Sequence, residues 1–182
     1  MKVIGVVGLP ASGKGEFAKI AAAQGLPVVV MGDVIRNMVQ KEDLPPTDTS
    51  MGRVANRLRA ERGMDAIAQL CIPIIRQQTA PLVLIDGIRG DSEVMLFRKH
   101  FPDFTLIAID TSFEKRLSRL ANRGRSDDTT TAATLRARDE RELGWGLGAA
   151  LAMADHRLNN DSDLATFTAS VISLLHKLEA DA

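Results

Sequence analysis

Residues 3–7, VIGVV, are an unbroken apolar run that passes directly into GLPASGKG at residues 8–15, and a segment of helical period follows. This order calls for a buried strand, a tight glycine turn and a helix that opens at the turn. The glycines let successive backbone N–H groups converge, the helix N-terminus adds partial positive charge, and Lys14 supplies a mobile ammonium. Together they form an anion cradle suited to the phosphates of a nucleoside triphosphate. Its residues are Gly8, Leu9, Pro10, Ala11, Ser12, Gly13, Lys14 and Gly15, with Glu16 next in line. The plainer reading, a glycine turn that merely joins strand to helix, is disfavoured by the strand before it and the helix after it.

Runs of strand length recur at 27–30, 82–85 and 106–109, with a weaker one at 156–158, and helical-period segments separate them. Strands that read as continuous apolar runs are buried on both faces, so the sheet should be parallel with helices on either side. The expectation is an α/β fold in three α/β/α layers around a five-stranded parallel sheet, forming a single domain over 1–182. Helices are expected at 14–24, 33–41, 51–62, 65–78, 92–100, 112–123, 130–143 and 164–179. Two regions interrupt the alternation. Residues 31–80 include KEDLPPTDTS and read as an inserted helical region, while 124–148 is rich in Arg, Thr and Gly, as expected of a segment that closes over a ligand. Within it, GWGLGAALA reads as a packed turn, with a contact surface as the alternative.

A chain of 182 residues, 45% hydrophobic and 25% charged, suits one globular domain with a sizeable core. Lys plus Arg equals Asp plus Glu at 23 each, so no global field draws the chain to nucleic acid or to a membrane surface. No apolar run approaches a membrane span, and the first 30 residues do not have the form of a secretory signal, which makes the cytoplasm the expected location. Cys71 is the single cysteine, which excludes an internal disulfide, and His100, His156 and His176 are too scattered to suggest a metal site.

Ligands of parallel sheets bind at the strands' carboxyl ends, and there the sequence places charge. Asp33 and Arg36 follow the second strand in GDVIR, Asp86 and Arg89 follow the third in LIDGIRG, and Asp110 ends the fourth. Singly, each could be a helix cap or a surface charge; Asp33 in particular could cap its helix. Beside a phosphate loop, Asp86 has the form of a carboxylate that holds Mg2+ through water, so Mg2+ with ATP is the expected cofactor. Seven arginines fall between residues 116 and 141. Arg116, Arg119 and Arg123 share one helical face with no acid interleaved, an arrangement that calls for a compensating anion such as a polyphosphate. Arg125, Arg136, Arg138 and Arg141 add planar donors suited to phosphate. The alternative is a solvated face with internal pairs such as Arg138 with Glu142. Nucleic acid is disfavoured by the absence of interleaved aromatics, for the chain has no Tyr and one Trp.

These motifs resemble the nucleoside monophosphate kinases, adenylate kinase above all, whose P-loop NTPase fold the resemblance implies. GLPASGKG is similar to that family's GxPGxGKG, GDVIR to its GDMLR, LIDGIR to its LDGFPR, and RSDD with LRAR to its lid sequence. ADHRLNNDSDLATF also resembles a segment of dephospho-coenzyme A kinases. GDVIR, DGIRG and RGRSDD together look most like an uncharacterised archaeal kinase-like P-loop family. The resemblance implies that Arg36 and Arg89 hold an acceptor phosphate, with Asp33 beside them as a further acceptor-binding residue, and that region 31–80 is the acceptor-binding insertion. It implies that Arg119 binds the nucleotide, and that Arg123, Arg125, Arg136 and Arg138 act with Lys14 on the transferring phosphoryl group beneath a short lid at 124–148. Glu16 departs from the pattern by replacing a metal-binding hydroxyl; it either helps hold the metal or points outward. Glu93 is the nearest counterpart of the family's base-reading Gln. The implied activity is phosphoryl transfer from ATP to a nucleoside monophosphate or nucleotide-like acceptor. An NTP-dependent switch or regulatory NTPase acting on a protein or nucleic-acid partner is the alternative.

Overall fold

The computed structural model describes residues 1–123 and 131–180. In chain order the elements are β1 (Lys2–Val7), α1 (Lys14–Ala23), β2 (Val28–Val30), α2 (Met31–Lys41), α3 (Asp48–Arg62), α4 (Ala66–Arg76), β3 (Leu82–Asp86), α5 (Asp91–His100), β4 (Phe104–Asp110), α6 (Phe113–Arg123), α7 (Ala132–Leu143), α8 (Leu147–Ala152), β5 (His156–Asn159) and α9 (Leu164–Ala180). The strands form one parallel sheet in the order β2-β3-β1-β4-β5. The central strand is therefore the one that carries the phosphate loop.

Alternation along β1 sends Val3 and Val7 into one apolar cluster and Ile4 and Val6 into the other. On the Ile4 side the sheet is covered by α1 and α9 through Phe17, Ile20, Phe167 and Val171. On the Val3 side lie Ile35 of α2, Val54 of α3, Ile75 of α4, Phe97 of α5 and Leu147 of α8. Each such side chain, fully buried, favours the fold by about 1.5–3 kcal/mol, so both faces are sealed by the pattern read from sequence. Among the described residues, no helix is long and apolar enough to cross a membrane.

Four details differ from expectation. The helix α2 begins at Met31 directly after β2, with Val30 as an N-cap that makes no side-chain capping bond. Asp33 thus lies inside the first turn and is not the cap, because β2 ends early enough for Met31 to enter the core. Region 31–80 holds α2, α3 and α4, and α3 begins earlier than expected because Thr47 Oγ1 accepts from Ser50 N at 3.2 Å. In place of the packed turn there is a short helix, α8, which buries Leu147 and Ala150 and which its small residues disguise in sequence. The expected helix at 130–143 is observed from Ala132, and residues 124–130 of the segment 124–148 lie outside the described residues.

Candidate active site

The loop between β1 and α1 turns through Gly13, whose φ of 112° lies in the left-handed region and where a Cβ would collide with the amide of Asn160. Its rear is tied down at one carbonyl. Ser12 O accepts from Thr111 Oγ1 at 2.8 Å, Asn160 Nδ2 at 2.8 Å and Arg119 Nη1 at 3.4 Å. Arg119 Nη2 also donates to Asn160 O at 2.6 Å, so the turn after β5 and the helix α6 grip the loop together. Arg116 donates to Pro10 O at 3.2 Å and forms a bidentate pair with Asp139 of α7, at 2.7 and 2.6 Å. The anion that the Arg116 end of the arginine row calls for is thus a protein carboxylate. By contrast, Ser12 Oγ is buried without a hydrogen-bond partner among the described residues. A buried orphan hydroxyl in a glycine cradle is a donor that a phosphate oxygen would satisfy.

At the mouth of the cradle Lys14 Nζ donates to Gly8 O at 2.6 Å and Leu9 O at 3.0 Å. Loss of hydration and then the nearby Arg89 charge lower its pKa to about 8, while Glu142 and Asp86 oppose the shift. Asp86, at the end of β3, is pushed up by burial, against the favourable charges of Lys14 and Arg89; Asp33 pushes it further up. Arg89, in the turn after β3, pairs with Glu142 Oε2 at 2.7 Å, and Arg138 Nε donates to Glu142 Oε1 at 3.4 Å. Burial raises the Glu142 carboxyl, and the charges of Arg89, Lys14 and Arg138 outweigh it, holding it below its ordinary value.

The fold therefore brings Lys14, Asp86, Arg89 and Arg138 to one mouth. Arg36 and Asp33 pair with each other at the surface, one turn apart on α2. Arg119 is behind the loop, braced on Asn160, and Arg136 lies 5.0 Å over the Phe113 ring. Glu16 pairs with the exposed Lys19 at 3.3 Å. Glu93 is buried, accepting from Arg89 N at 2.6 Å and facing Arg59 at 3.5 Å, so it is committed to the protein and not available to read a base. The side chain of Arg123 and the whole of Arg125 lie outside the described residues. Sequence reading missed Asn160, Thr111 and Asp139, and saw Glu142 only as the partner of Arg138. Nothing in the sequence marks a threonine or asparagine whose partner is a backbone carbonyl 99 or 148 positions away.

The residues present fit a magnesium ion in the limited sense that Mg2+ requires of a protein. Among the described residues no three His, Cys, Asp or Glu side chains cluster. A single half-buried carboxylate such as Asp86 beside a phosphate cradle is nonetheless the donor set of a cation that keeps most of its ligands as water and phosphate.

A parallel sheet with a glycine-lysine loop leaving its central strand and charged residues at the neighbouring carboxyl ends defines a nucleotide-binding P-loop protein of kinase-like fold. Residues 7–136 match the family described as AAA domain. The chain is 68% identical over 181 residues to a protein described as UPF0200 from Methanoregula boonei, covering all of both chains, and 61% identical over 178 residues to one from Methanoculleus marisnigri, covering 98% and 97%. It belongs to the UPF0200 family. Among solved structures it is similar to TT1252 from Thermus thermophilus, with TM-score 0.70 and 16% identity over 97% of both chains. It is also similar to a gluconokinase from Sinorhizobium meliloti 1021, with TM-score 0.59 and 18% identity over 99% and 94%, and to a shikimate kinase from Bacteroides thetaiotaomicron, with TM-score 0.62 and 16% identity over 98% of both. At these identities the likeness is one of fold.

Proposed function

We propose that the chain is an ATP-dependent kinase that transfers the γ-phosphoryl group to a nucleoside monophosphate or nucleotide-like acceptor. The observation that carries this reading is the convergence of Arg89, from the turn after β3, with the loop lysine Lys14. Each lies in the other's field, and a protein that only binds a triphosphate has no need of a second arginine site there. The two structural neighbours described as kinases share the fold and lend the general reaction class, not the acceptor.

In this reading the backbone of Gly8 to Gly15 and Ser12 Oγ hold the donor phosphates. Lys14 turns from Gly8 O and Leu9 O to meet them. Arg36 leaves Asp33 to join Arg89 on the acceptor phosphate, and Arg138, with Arg123 at the end of α6 and Arg125 and Arg136 of the lid segment, offsets charge on the transferring group. Asp86 would hold Mg2+ through water, and the ion would supply charge neutralisation between the donor phosphates. Phosphoryl transfer asks the protein for alignment, electrostatic stabilisation and exclusion of water more than for covalent chemistry. Paired arginines call for an anionic acceptor, and a phosphorylated one is preferred because GDVIR and LIDGIR, the segments that carry Arg36 and Arg89, resemble those of nucleoside monophosphate kinases.

A coupled assay of ADP release tests the proposal, with nucleoside monophosphates and dephospho-coenzyme A each supplied with ATP and Mg2+ and compared with hydrolysis by the protein alone. The expected result is stimulation by at least one acceptor, lost in Arg89→Ala and Arg36→Ala through a higher acceptor KM or lower kcat/KM. Slow ADP release that no acceptor stimulates, and that neither variant alters, would instead assign the chain to NTP-dependent switches.

A further inference from the structure

Glu142 sits at the centre of the mouth without a task in the reading above. Its side chain is 2% exposed, and it contacts Arg89 of the β3–α5 turn with one carboxylate oxygen and Arg138, one turn earlier on α7, with the other. Its charge also reaches Lys14 of the loop. One buried carboxylate therefore links cations from three separate segments.

The place of Glu142 is fixed by close packing of the backbone that follows it. A Cβ on Gly90 would collide with Trp145 O, so the turn after α7 is pressed directly against the residue next to Arg89. The Trp145 ring in turn lies 5.1 Å from the Arg59 guanidinium, and Arg59 pairs with Glu93, whose other oxygen accepts from Arg89 N at 2.6 Å. Two buried glutamates thus hold one arginine: Glu93 its backbone and Glu142 its side chain.

A purely structural pair would match one carboxylate with one guanidinium, as Asp139 does with Arg116 three residues earlier. Glu142 is divided between two arginines, and its Oε2 stands at ion-pair distance from Arg89 without a well-directed hydrogen bond. Among the described residues, neither guanidinium makes a further hydrogen bond to the protein. Most of their N–H edges meet no other described residue and suit an anion.

We propose that Glu142 is a positioning residue that holds Arg89 and Arg138 side by side next to Lys14, aiming their free N–H edges at phosphate oxygens between donor and acceptor. It touches no substrate. The oxygens it serves rest on the kinase reading; the arrangement of the two arginines does not.

The test compares Glu142→Gln and Glu142→Asp with the wild type in two measurements. The first is modification of the ligand-free protein by phenylglyoxal, mapped by peptide mass. In Glu142→Gln, Arg89 loses its counter-charge beside Lys14 and turns to solvent, so its modification accelerates about fivefold, the factor equivalent to an ion pair of about 1 kcal/mol. Arg62, exposed at the end of α3, serves as the unchanged reference, and Glu142→Asp keeps Arg89 protected. Equal Arg89 rates in wild type and Glu142→Gln overturn the proposal whatever the protein's activity. The second is steady-state kinetics with the acceptor found by the screen. Glu142→Gln should lower kcat/KM for the acceptor about tenfold or more, with Glu142→Asp recovering most of it. A variant that melts earlier yet has wild-type kcat and KM shows a merely structural residue and also overturns the proposal. If the wild type shows no acceptor-dependent turnover, the kinase reading falls and the phenylglyoxal result alone decides the role of Glu142.

Discussion

Asp139 and Glu142 lie three residues apart on α7, both buried, and they meet opposite fates. Asp139 has a single bidentate partner in Arg116, which also holds Pro10 O at the rear of the loop. Glu142 is shared between Arg89 and Arg138 at the front and keeps an oxygen without a directed hydrogen bond. The rear of the cradle is densely bonded: Ser12 O alone collects Thr111, Asn160 and Arg119, and Arg116 holds Pro10 O and both oxygens of Asp139, with its Nε left without a partner among the described residues. The front is a cluster of charges whose partners are incomplete. Bonds to the loop backbone hold its shape, whereas shared charges at the front leave donors for a ligand, so the rear should govern stability and the front binding.

The largest effect expected of that contrast is at the rear. Removing Arg116 leaves Asp139 buried without its counter-charge, so Arg116→Ala should cost about 3–5 kcal/mol of stability. A lowered urea midpoint with an unchanged m-value would measure it, and a loss below about 1 kcal/mol would end the distinction between the two regions. At the front, Lys14→Ala should raise ligand-free stability at neutral pH, because it removes a dehydrated charge, while weakening ATP binding by about 2–4 kcal/mol, the cost of truncating one side of a desolvated charge contact. Calorimetry giving the wild-type affinity would remove the phosphate-cradle reading.

The pH dependence sharpens the same point. Dehydration at the cradle lowers the Lys14 ammonium from the ordinary 10.5 to about 8 in the folded chain, so between those pH values the unfolded chain binds more protons. Its contribution to stability is therefore unfavourable at neutral pH and is relieved as pH rises through that window. Affinity for a triphosphate should run the other way, falling above about pH 8 as Lys14 loses its charge. Denaturant melts from pH 7 to 10 should show a slope for the wild type that Lys14→Met flattens.

Smaller and more local is the metal test. Asp86→Asn should reduce Mg2+-dependent turnover far more than Glu16→Gln, because Asp86 is half-buried at the mouth and Glu16 is paired with Lys19 on the helix surface. The reverse order would move the metal to Glu16. The smallest effect belongs to Cys71, whose thiol burial pushes up to about 12; it should stay unreactive to a disulfide reagent at pH 8 until the chain unfolds.

The strands β1, β3 and β4 were legible because each is an apolar run buried on both faces, β2 as a short apolar run and β5 only weakly, since HRLN alternates half-buried and exposed residues; the long amphipathic helices were legible because their period is 3.6. The helix α8 was not, since its glycines and alanines carry little period, and its burial is set by the groove that receives it. Asp33 had the composition of a cap, but where β2 ends decided its position in the helix. The arginines of α6 and α7 looked equivalent in sequence; in the structure Arg116 is a strut, Arg136 lies over Phe113, and Arg138 reaches the mouth.

The sequence by itself determined the cradle, because strand, glycine turn, Lys14 and helix are contiguous and their geometry follows from local backbone freedom and spacing. It also determined that Asp86 and Arg89 would stand near the cradle, since both follow an apolar strand of a parallel sheet. Only the tertiary structure decided which acid meets which arginine. Arg89 and Glu142 are separated by more than fifty residues, and their meeting depends on β3 lying beside β1 and on Gly90 admitting the Trp145 backbone. Charges on a sequence carry sign but no direction; packing at that glycine supplies the direction.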